Sequence, residues 1–421
     1  MNGPRQVETV NALALTLHGV RIGILAHYSG GKNILTFDPQ YQRLPIEERP
    51  VFTLSQKVRA DYLTSPLMAS QRLPAVLSNL LPEGALRHWA AQTLKTHIDE
   101  EFSLIVWART NLPGALIGHP LAAGDIPDWA LASRGELAPI QLDIDADRRK
   151  FSLAGVQMKF SSLRENGRFT ISANVGADSW IIKTPSIIHP FVPANEYTAM
   201  RLAEAIGVTI PEIELVPLNQ LDHLPDIQLA EESYAYAIRR FDRSERGRIH
   251  AEDFAQVFGV YAHEKYIGKN YDQIAAYLDA LSSDPLADVQ QMARRLLANI
   301  LLANGDAHLK NWSVIYPDQR NARLSPAYDI VTTLAYIPGE TAAALNMAEQ
   351  KQWTAMTLRT FEHWAERIDV PWSVIRVHLL DALDKARECW PAMLVELPMA
   401  EKHKAILRHH WATLGEDFRI G

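Results

Sequence analysis

Apolar and polar side chains alternate near the beginning of the chain, and apolar residues recur at helical spacing further on. Residues 11–37 alternate in this way and contain turn-forming residues at 18–19 and 29–31, which predicts three short strands. The stretch EGALRHWAAQTLKTHI has apolar residues three or four positions apart, as on one face of a helix, and EEFSLIVWART is interpreted as a second short helix. Residues 1–115 are therefore predicted to form a small α+β unit.

The pattern changes twice more along the chain. Residues 116–150 are rich in Pro, Gly, Asp and Ala and are interpreted as a linker. Between 151 and 245 strands predominate around one helix, PANEYTAMRLAEAIG, which has Pro near its start and Gly at its end. From 246 to 421 the pattern is mostly helical, except for a hairpin predicted over 312–329. This order predicts a strand-rich N-lobe followed by a helical C-lobe.

The composition is that of a globular protein and narrows the range of partners. The chain has 421 residues, of which 47% are hydrophobic, and a net charge of −7. A protein that binds nucleic acid directly is more often basic, so any contact with DNA is expected to need a partner protein. One stretch, IRRFDRSERGR at 238–248, is locally basic. We interpret it as a solvated rim or as a surface that steers anionic ligands.

Cysteine usage and hydropathy indicate the compartment. The single cysteine, Cys389, excludes an internal disulfide and suits a reducing cytosol. The first residues lack the apolar core of a signal peptide, and no window reaches the roughly 18–20 apolar residues of a membrane span. We therefore expect a cytoplasmic protein without contact to a membrane.

A polar stretch, ANGDAHLKNW at 303–312, interrupts an apolar helical run. Phosphate transfer from a nucleotide needs a carboxylate near the acceptor hydroxyl and oxygen ligands for magnesium. Asp306 is the candidate carboxylate, and Asn311 follows it at the spacing found in the catalytic loop of protein kinases. Asp329, at the end of the predicted hairpin, could return beside Asn311, where their oxygens suit Mg²⁺. The alternative for Asp306 and Asn311 is an ordinary turn at a helix C-terminus.

A lysine and a glutamate are candidates for holding the nucleotide phosphates. Lys183 closes the predicted strand SWIIKTP, and Glu196 lies on the helix that follows. We interpret them as the strand lysine and helix glutamate that kinases pair beside the phosphates. The alternative is a lysine in solvent and a glutamate favoured by the helix dipole.

The stretch FSLAGVQMK, residues 151–159, is the candidate for a loop that covers the phosphates. Its predicted nucleotide contacts are Ser152, Ala154, Gly155, Val156, Gln157 and Lys159. Ser152 would lie near the γ-phosphate and is a candidate for self-phosphorylation, although a serine that caps a turn is the simpler interpretation. Other chemistries fit less well, because His308 has no second histidine at metal-ligand spacing and no G-x-S-x-G elbow occurs.

Taken together, these stretches resemble the HipA family of serine/threonine kinase toxins from bacterial type II toxin–antitoxin systems. The matching stretches run in order through most of the chain: NLLPEG (79–84), SLAGVQMK (152–159), WIIKTP (180–185), NEYTAMRLA (195–203), RRFDR (239–243), NGDAHLKN (304–311) and PAYDI (326–330). The combination is specific, whereas no single stretch would suffice. The resemblance implies an α+β, protein-kinase-like bilobal fold with an added small N-terminal domain.

The resemblance also implies an activity and its partners. It implies ATP with Mg²⁺, phosphorylation of proteins on serine or threonine, with aminoacyl-tRNA synthetases among the substrates, and autophosphorylation at Ser152 that switches the enzyme off. The implied partner is a small helix-turn-helix antitoxin, through which operator DNA would mainly be contacted.

Residue roles follow from the same resemblance. Lys183 would bind phosphates, Asp306 would be the catalytic residue, and Asn311 and Asp329 would hold magnesium. The backbone of Arg239, Arg240 and Phe241 would form the hinge to adenine, although Arg239 stands where family members often have Glu. Lys310 would neutralise γ-phosphate charge, and His308 would orient its neighbours.

Two other functions remain open at this stage. A small-molecule phosphotransferase could use the same metal ligands and the same base. An idle scaffold could act with a DNA-binding antitoxin as a repressor, although the presence of every catalytic candidate argues against it.

Overall fold

The computed structural model describes residues 7–131, 138–145, 159–165, 167–171, 179–224 and 229–421. The strands are β1 (Val7–Val10), β2 (Ala12–Leu17), β3 (Val20–Tyr28), β4 (Lys32–Phe37), β5 (Leu67–Ser70), β6 (Leu116–Leu121), β7 (Leu142–Asp145), β8 (Lys159–Glu165), β9 (Arg168–Ile171), β10 (Trp180–Lys183), β11 (Ile213–Pro217), β12 (Leu221–Asp222), β13 (Tyr234–Arg239), β14 (Arg243–Ser244), β15 (Gly247–Arg248), β16 (His250–Asp253), β17 (Ser313–Tyr316), β18 (Arg323–Leu324), β19 (Ala342–Met347) and β20 (Gln350–Gln352). The α-helices are α1 (Pro39–Arg43), α2 (Ser55–Val58), α3 (Ala75–Ser78), α4 (Gly84–Leu94), α5 (Glu101–Ala108), α6 (Asp128–Leu131), α7 (Val192–Ala205), α8 (Phe254–Phe258), α9 (Tyr271–Leu281), α10 (Pro285–Leu301), α11 (Leu358–Arg367), α12 (Trp372–Glu396) and α13 (Glu401–Thr413).

The first unit is built on a five-stranded sheet of order β5-β4-β3-β2-β6. Alternation along β2 explains how it is covered. Leu13 and Leu15 belong to the cluster that includes residues of α4 and α5, whereas Ala12 and Ala14 point to the other face and pack with residues of the α6 region. The three predicted strands of 11–37 and both predicted helices are confirmed.

The start of the predicted linker belongs to this sheet. Strand β6 pairs along the whole of β2, from Ala12 opposite Leu121 to Leu17 opposite Leu116. Strand β7, near the other end of the linker, pairs with β1. The segment 116–150 therefore contributes strands β6 and β7 to sheets. Its Pro- and Gly-rich composition does not indicate them, because the strands with which they pair lie far away in the chain.

The second sheet has six strands in the order β11-β13-β10-β8-β9-β12. Strand β10 lies in its interior, between β13 and β8. Helix α7 packs on this sheet, where Ala199 and Met200 share a cluster with Tyr236 and Ile238 of β13. The helix is followed by Gly207 at φ 87°, a backbone conformation that glycine adopts without strain.

The rest of the chain is mainly helical and encloses a large core. Helix α10 is buried over most of its length and contacts both α9 and α12. The predicted hairpin is confirmed, since β17 pairs with β18, and β16 adds a third strand to it. Among the described residues, no helix combines the length and the apolar character needed to cross a bilayer.

An ion network in the RRFDR stretch joins the first unit to the second sheet. The Asp242 carboxylate accepts hydrogen bonds from both Arg240 Nε (2.9 Å) and the Gly114 amide (2.8 Å), and it also pairs with Arg243 (3.0 Å). Arg243 in turn donates to the Gly114 carbonyl oxygen at 3.0 Å. These arginines are buried, so the interpretation of 238–248 as a solvated rim is wrong for them. They attach the N-terminal unit.

Replacing Asp242 by Asn is expected to destabilise the fold. Burial alone would raise the pKa of Asp242, but the neighbouring arginines outweigh it and lower this pKa to about 2. The difference from the ordinary value of 3.8 corresponds to about 2 kcal/mol of unfolding free energy. That contribution is present above pH 3.8 and is lost as the pH falls towards 2.

Urea unfolding of parent and Asp242→Asn at pH 7 and pH 3 would measure this effect. The stability gap should be full at pH 7 and clearly smaller at pH 3. Asp222→Asn is the matched control, because the Asp222 carboxylate pairs with Arg168 at the surface. An equal gap at both pH values would contradict the ionic account.

Candidate active site

Lys183 lies at the end of β10, where the second sheet meets the helical part. Its ammonium group donates hydrogen bonds to Glu196 on α7 and to Asp329. Lys183 is 3% exposed and Glu196 is 1% exposed. The alternative of a lysine in solvent and a glutamate favoured by the helix dipole is therefore wrong, because Lys183 is buried and Glu196 lies beyond the first turn of α7. A buried ion pair of this kind requires that the charges satisfy one another.

The Asp329 carboxylate contacts the ammonium groups of two lysines. One carboxylate oxygen contacts Lys183, and the other accepts a hydrogen bond from Lys159 at 3.0 Å. Burial would raise the pKa of Asp329, but the two lysines outweigh it and hold this pKa well below its usual range. Burial raises the pKa of Glu196, and Lys183 only partly offsets this. Asp329 is therefore ionised at neutral pH, as a cation ligand must be.

The polar stretch after α10 folds back on itself. The Asn304 side-chain Nδ2 donates to Asn299 Oδ1 at 2.8 Å, and Asn304 Oδ1 accepts from the Asp306 backbone amide at 3.1 Å. A Cβ atom on Gly305 would meet Glu340 Oε1 at 2.1 Å, so a larger residue here would have to displace the Glu340 side chain. The Asn311 side chain donates to the Asp306 carbonyl oxygen at 2.7 Å. Asp306 and Asn311 are brought together as predicted.

The Asp306 carboxylate is half-exposed and held on one side. The Tyr266 hydroxyl donates a hydrogen bond to Asp306 Oδ1, and Asp306 Oδ2 has no hydrogen-bond partner among the described residues. His308 Nε2 is 3.9 Å from Oδ1, too far for a hydrogen bond, and the ring packs against Tyr266. Burial lowers the pKa of His308 to about 4, with Asp306 offsetting it in part, so the ring is neutral at pH 7.

Arg295 of α10 supports the loop from behind. It donates to the Asn311 carbonyl oxygen and lies 4.4 Å from the centre of the Trp312 ring. Tyr328 lies under the same guanidinium and donates its hydroxyl to the Lys310 carbonyl oxygen at 2.8 Å. Neighbours of Asn311 and Asp329 are therefore in direct contact across the hairpin. Burial lowers the pKa of Arg295 to about 10, so it remains charged.

Lys310 does not lie where the sequence suggested. Its ammonium group donates to the Asn79 carbonyl oxygen at 2.8 Å and pairs with Asp253 at 2.9 Å and with Glu83 at 3.3 Å. All of these contacts anchor it to the N-terminal unit and β16. Its placement gives no support to a role in neutralising γ-phosphate charge.

The predicted hinge leaves one backbone amide for a ligand. The Arg239 backbone amide already donates to the Glu212 carbonyl oxygen at 2.8 Å, and the Arg240 backbone amide donates to the Ser179 carbonyl oxygen at 2.7 Å. The Phe241 amide donates to no other group in the described part of the chain. A cavity of about 470 Å³ borders these residues, with Pro211 and Pro326 in its lining, which is within the usual range for small-molecule sites. The Arg240 side chain donates hydrogen bonds to both carboxylate oxygens of Asp242, and a contact of Arg240 with the nucleotide stays a prediction.

The loop predicted to cover the phosphates is described only at its last residue. Ser152, Ala154, Gly155, Val156 and Gln157 lie outside the described residues. Lys159 is described and contacts Asp329.

The donor set suits magnesium bound together with phosphates. No group of three or more His, Cys, Asp or Glu side chains among the described residues could hold a metal ion on its own. Asp329 offers an ionised carboxylate, and Asn311 Oδ1 has no hydrogen-bond partner in the described part of the chain. Mg²⁺ commonly takes one or two protein oxygens and completes its shell with phosphates and water. The residues present therefore fit this ion.

Sequence comparison finds two family models that together span most of the chain. The model of the HipA-like C-terminal domain matches residues 151–390, and that of the HipA N-terminal domain matches residues 13–117. A Sinorhizobium fredii protein named "Putative kinase Y4dM" is 37% identical over 409 residues, covering 96% of this chain and 97% of that protein.

More distant relatives carry a toxin name. The serine/threonine-protein kinase toxin HipA of Shewanella oneidensis is 21% identical, over 82% of each chain. Among solved structures, a complex of Shewanella oneidensis HipA with HipB and operator DNA matches with a TM-score of 0.67 at 20% identity, covering 95% of each chain. This likeness supports the α+β, kinase-like fold expected from the sequence.

Proposed function

Because the chain belongs to the HipA family of kinase-like proteins, we propose that it transfers the γ-phosphate of ATP to a serine or threonine of a protein. The observation that carries the proposal is the buried contact of Lys183 with both Glu196 and Asp329. Protein kinases hold a strand lysine against a helix glutamate and require a metal-binding aspartate beside it. Asp306, with one carboxylate oxygen unused among the described residues, supplies the remaining part.

Each residue has a defined task in this proposal. Lys183 binds the α- and β-phosphates, and Glu196 keeps its ammonium group in place. Asn311 and Asp329 would hold Mg²⁺, which would neutralise charge on the phosphates. Asp306 accepts the proton of the acceptor hydroxyl through Oδ2, as the acceptor oxygen bonds to phosphorus and the bond to ADP breaks. Phe241 offers its amide to the adenine.

The substrate and the partner are proposed from the family. We propose an aminoacyl-tRNA synthetase as a candidate protein substrate and the cytoplasm as the place of action. The Shewanella oneidensis relative was solved with HipB and operator DNA. By analogy, this chain would bind a small helix-turn-helix antitoxin and reach DNA mainly through it. The domain limits proposed are 1–115 for the N-terminal unit, 116–150 for a connecting segment whose strands β6 and β7 pair with that unit, 151–245 for an N-lobe and 246–421 for a C-lobe.

Phosphoproteomics of cells that express the protein would test the function directly. New phosphoserine or phosphothreonine sites should appear with the parent and be missing with Asp306→Ala. A small-molecule phosphotransferase would consume ATP without new phosphopeptides. If the protein is an idle scaffold, the parent and Asp306→Ala should show the same phosphopeptides and the same ATP consumption.

Ser152→Ala is expected to prolong activity. Phosphate on Ser152 would add a charge of about −1.5 to −2 at pH 7 to a loop that binds phosphates, and like-charge repulsion should weaken ATP binding. A progress curve with Mg²⁺ and ATP should therefore decline for the parent and stay linear for the variant. The exposed Ser65 provides the control Ser65→Ala. Parallel curves, or absence of phosphate at Ser152 by mass spectrometry, would contradict self-inactivation.

A further inference from the structure

Glu83, in the NLLPEG stretch of the N-terminal unit, contacts two lysines that belong to different parts of the helical region. Its Oε1 is 3.3 Å from Lys310 Nζ, and its Oε2 accepts a hydrogen bond from Lys265 Nζ at 2.9 Å. Both lysines are distant from Glu83 in the chain, by 182 residues in the case of Lys265. Glu83 therefore bridges two segments that nothing in the local sequence connects.

Lys310 transmits this contact to the catalytic loop. It immediately precedes Asn311, and its side chain is only 12% exposed. The Asn79 carbonyl oxygen, also in NLLPEG, accepts a second hydrogen bond from its ammonium group, and Asp253 pairs with it on the third side. The backbone of Lys310 is fixed as well, because Tyr328 donates to its carbonyl oxygen. Lys310 is therefore held at both ends directly before Asn311, at its ammonium group by the N-terminal unit and at its carbonyl oxygen by Tyr328.

Lys265 is next in the chain to a residue that holds the other end of the catalytic loop, at Asp306. It immediately precedes Tyr266, whose hydroxyl holds Asp306 Oδ1. The Lys265 carbonyl oxygen also accepts a hydrogen bond from the Leu309 amide at 3.3 Å. The two segments that Glu83 bridges thus meet at the loop between Asp306 and Asn311.

We infer that Glu83 is a positioning residue, by which the N-terminal unit sets the geometry of Asp306 and Asn311 for phosphate transfer. This inference rests on the proposed function. The ion pairs described for Glu83 are with Lys310 and Lys265, so in this inference it acts through those two residues. Its side chain is 38% exposed, so its effect should be on geometry more than on stability.

The charge state of Glu83 agrees with this role. Burial would raise its pKa, but Lys310 and Lys265 outweigh it and lower this pKa below the usual value. Glu83 is therefore ionised at neutral pH and can hold both ammonium groups at once.

Glu83→Gln removes the charge while keeping the shape of the side chain. Misplacement of catalytic groups by a fraction of an ångström is costly, so we expect kcat to fall by about 10-fold, while KM for ATP changes by less than about 2-fold. The matched control is Glu100→Gln, which changes an exposed glutamate of the same unit that makes no ion pair among the described residues. It should behave like the parent.

Hydrogen exchange of the protein without nucleotide gives a second readout. Amides of residues 304–311 should exchange faster in Glu83→Gln than in the parent, while those of strands β2 and β3 should be unchanged. The double variant Glu83→Gln/Lys265→Met should lose less activity than the two single effects multiplied together, because both changes break the same contact.

The outcomes separate this inference from the proposed function. If the parent transfers phosphate and Glu83→Gln keeps both its kcat and its exchange pattern, the positioning role is overturned and the function stands. If only thermal stability falls, Glu83 merely attaches the N-terminal unit and the inference is also overturned. If the parent transfers no phosphate, the proposed function fails, and the exchange rates alone still decide whether Glu83 holds the loop.

Discussion

Asp306→Asn should lower kcat for phosphate transfer by about 10³-fold, within the range that general-base groups contribute, and leave ATP affinity almost unchanged. The Asp306 carboxylate is half-exposed, and none of its described contacts involves Lys183, Glu196 or Asp329, so its loss should leave the phosphate contacts intact. The side-chain amide in this variant still accepts the hydrogen bond from Tyr266, but it cannot take up the proton of the substrate hydroxyl. Transfer of labelled phosphate and ATP binding by calorimetry would measure the two effects separately.

A matched control for this variant is Asp279→Asn. Asp279 lies on α9 in the same lobe and forms no ion pair within the described residues. It should retain full activity. If Asp306→Asn kept parental activity, the proposed base would be wrong, and the half-exposed carboxylate would be only a turn residue.

Lys183→Met should abolish ATP binding and also destabilise the fold. It removes the cation between Glu196 and Asp329 and leaves a buried glutamate without its partner, which costs about 3–5 kcal/mol in comparable pairs. Thermal unfolding and calorimetry would record the two losses. Because a destabilised protein loses activity for trivial reasons, this single variant does not isolate the role of the lysine.

A second substitution separates folding from function. In Lys183→Met/Glu196→Gln the buried charge is gone from both positions, while Asp329 keeps its contact with Lys159. We expect this double variant to recover most of the lost stability and still to bind no ATP. Recovery of nucleotide binding along with stability would contradict a direct role of Lys183 at the phosphates.

The parts of the site that could be predicted are those in which the chain itself sets the geometry. A strand that ends in Lys183 and is followed by the helix carrying Glu196 leaves few ways to pack, and burial of both charges requires that they meet. The spacing of Asp306 and Asn311 works in the same way, because a short turn joins them and the Asn311 side chain donates to the Asp306 carbonyl oxygen. The overall order of strands and helices likewise follows from periodicity.

The missed contacts involve partners that are distant in the chain. Lys310 meets Asn79 across 231 residues, and no local pattern indicates which carbonyl oxygen a lysine will find. Tyr266 was not singled out because an exposed tyrosine in a polar segment has no distinguishing signal. Arg295 reads as one polar position on an apolar helix, although its guanidinium lies between Trp312 and Tyr328. The burial of Arg240 and Arg243 has no local signal, because the residues of the N-terminal unit that contact them, Asn111 and Gly114, lie 129 residues away in the chain.

The position of Asp242, one residue after Phe241, has a thermodynamic consequence. The same short turn presents an amide to the cavity and anchors the N-terminal unit through Gly114. If occupation of the cavity alters this turn, the free energy of attachment of the unit changes by the same amount as the affinity for the occupant, since such coupling is reciprocal. A protein bound to the N-terminal unit would then change the affinity for nucleotide without entering the cleft, and bound nucleotide would change the affinity for that protein by the same factor.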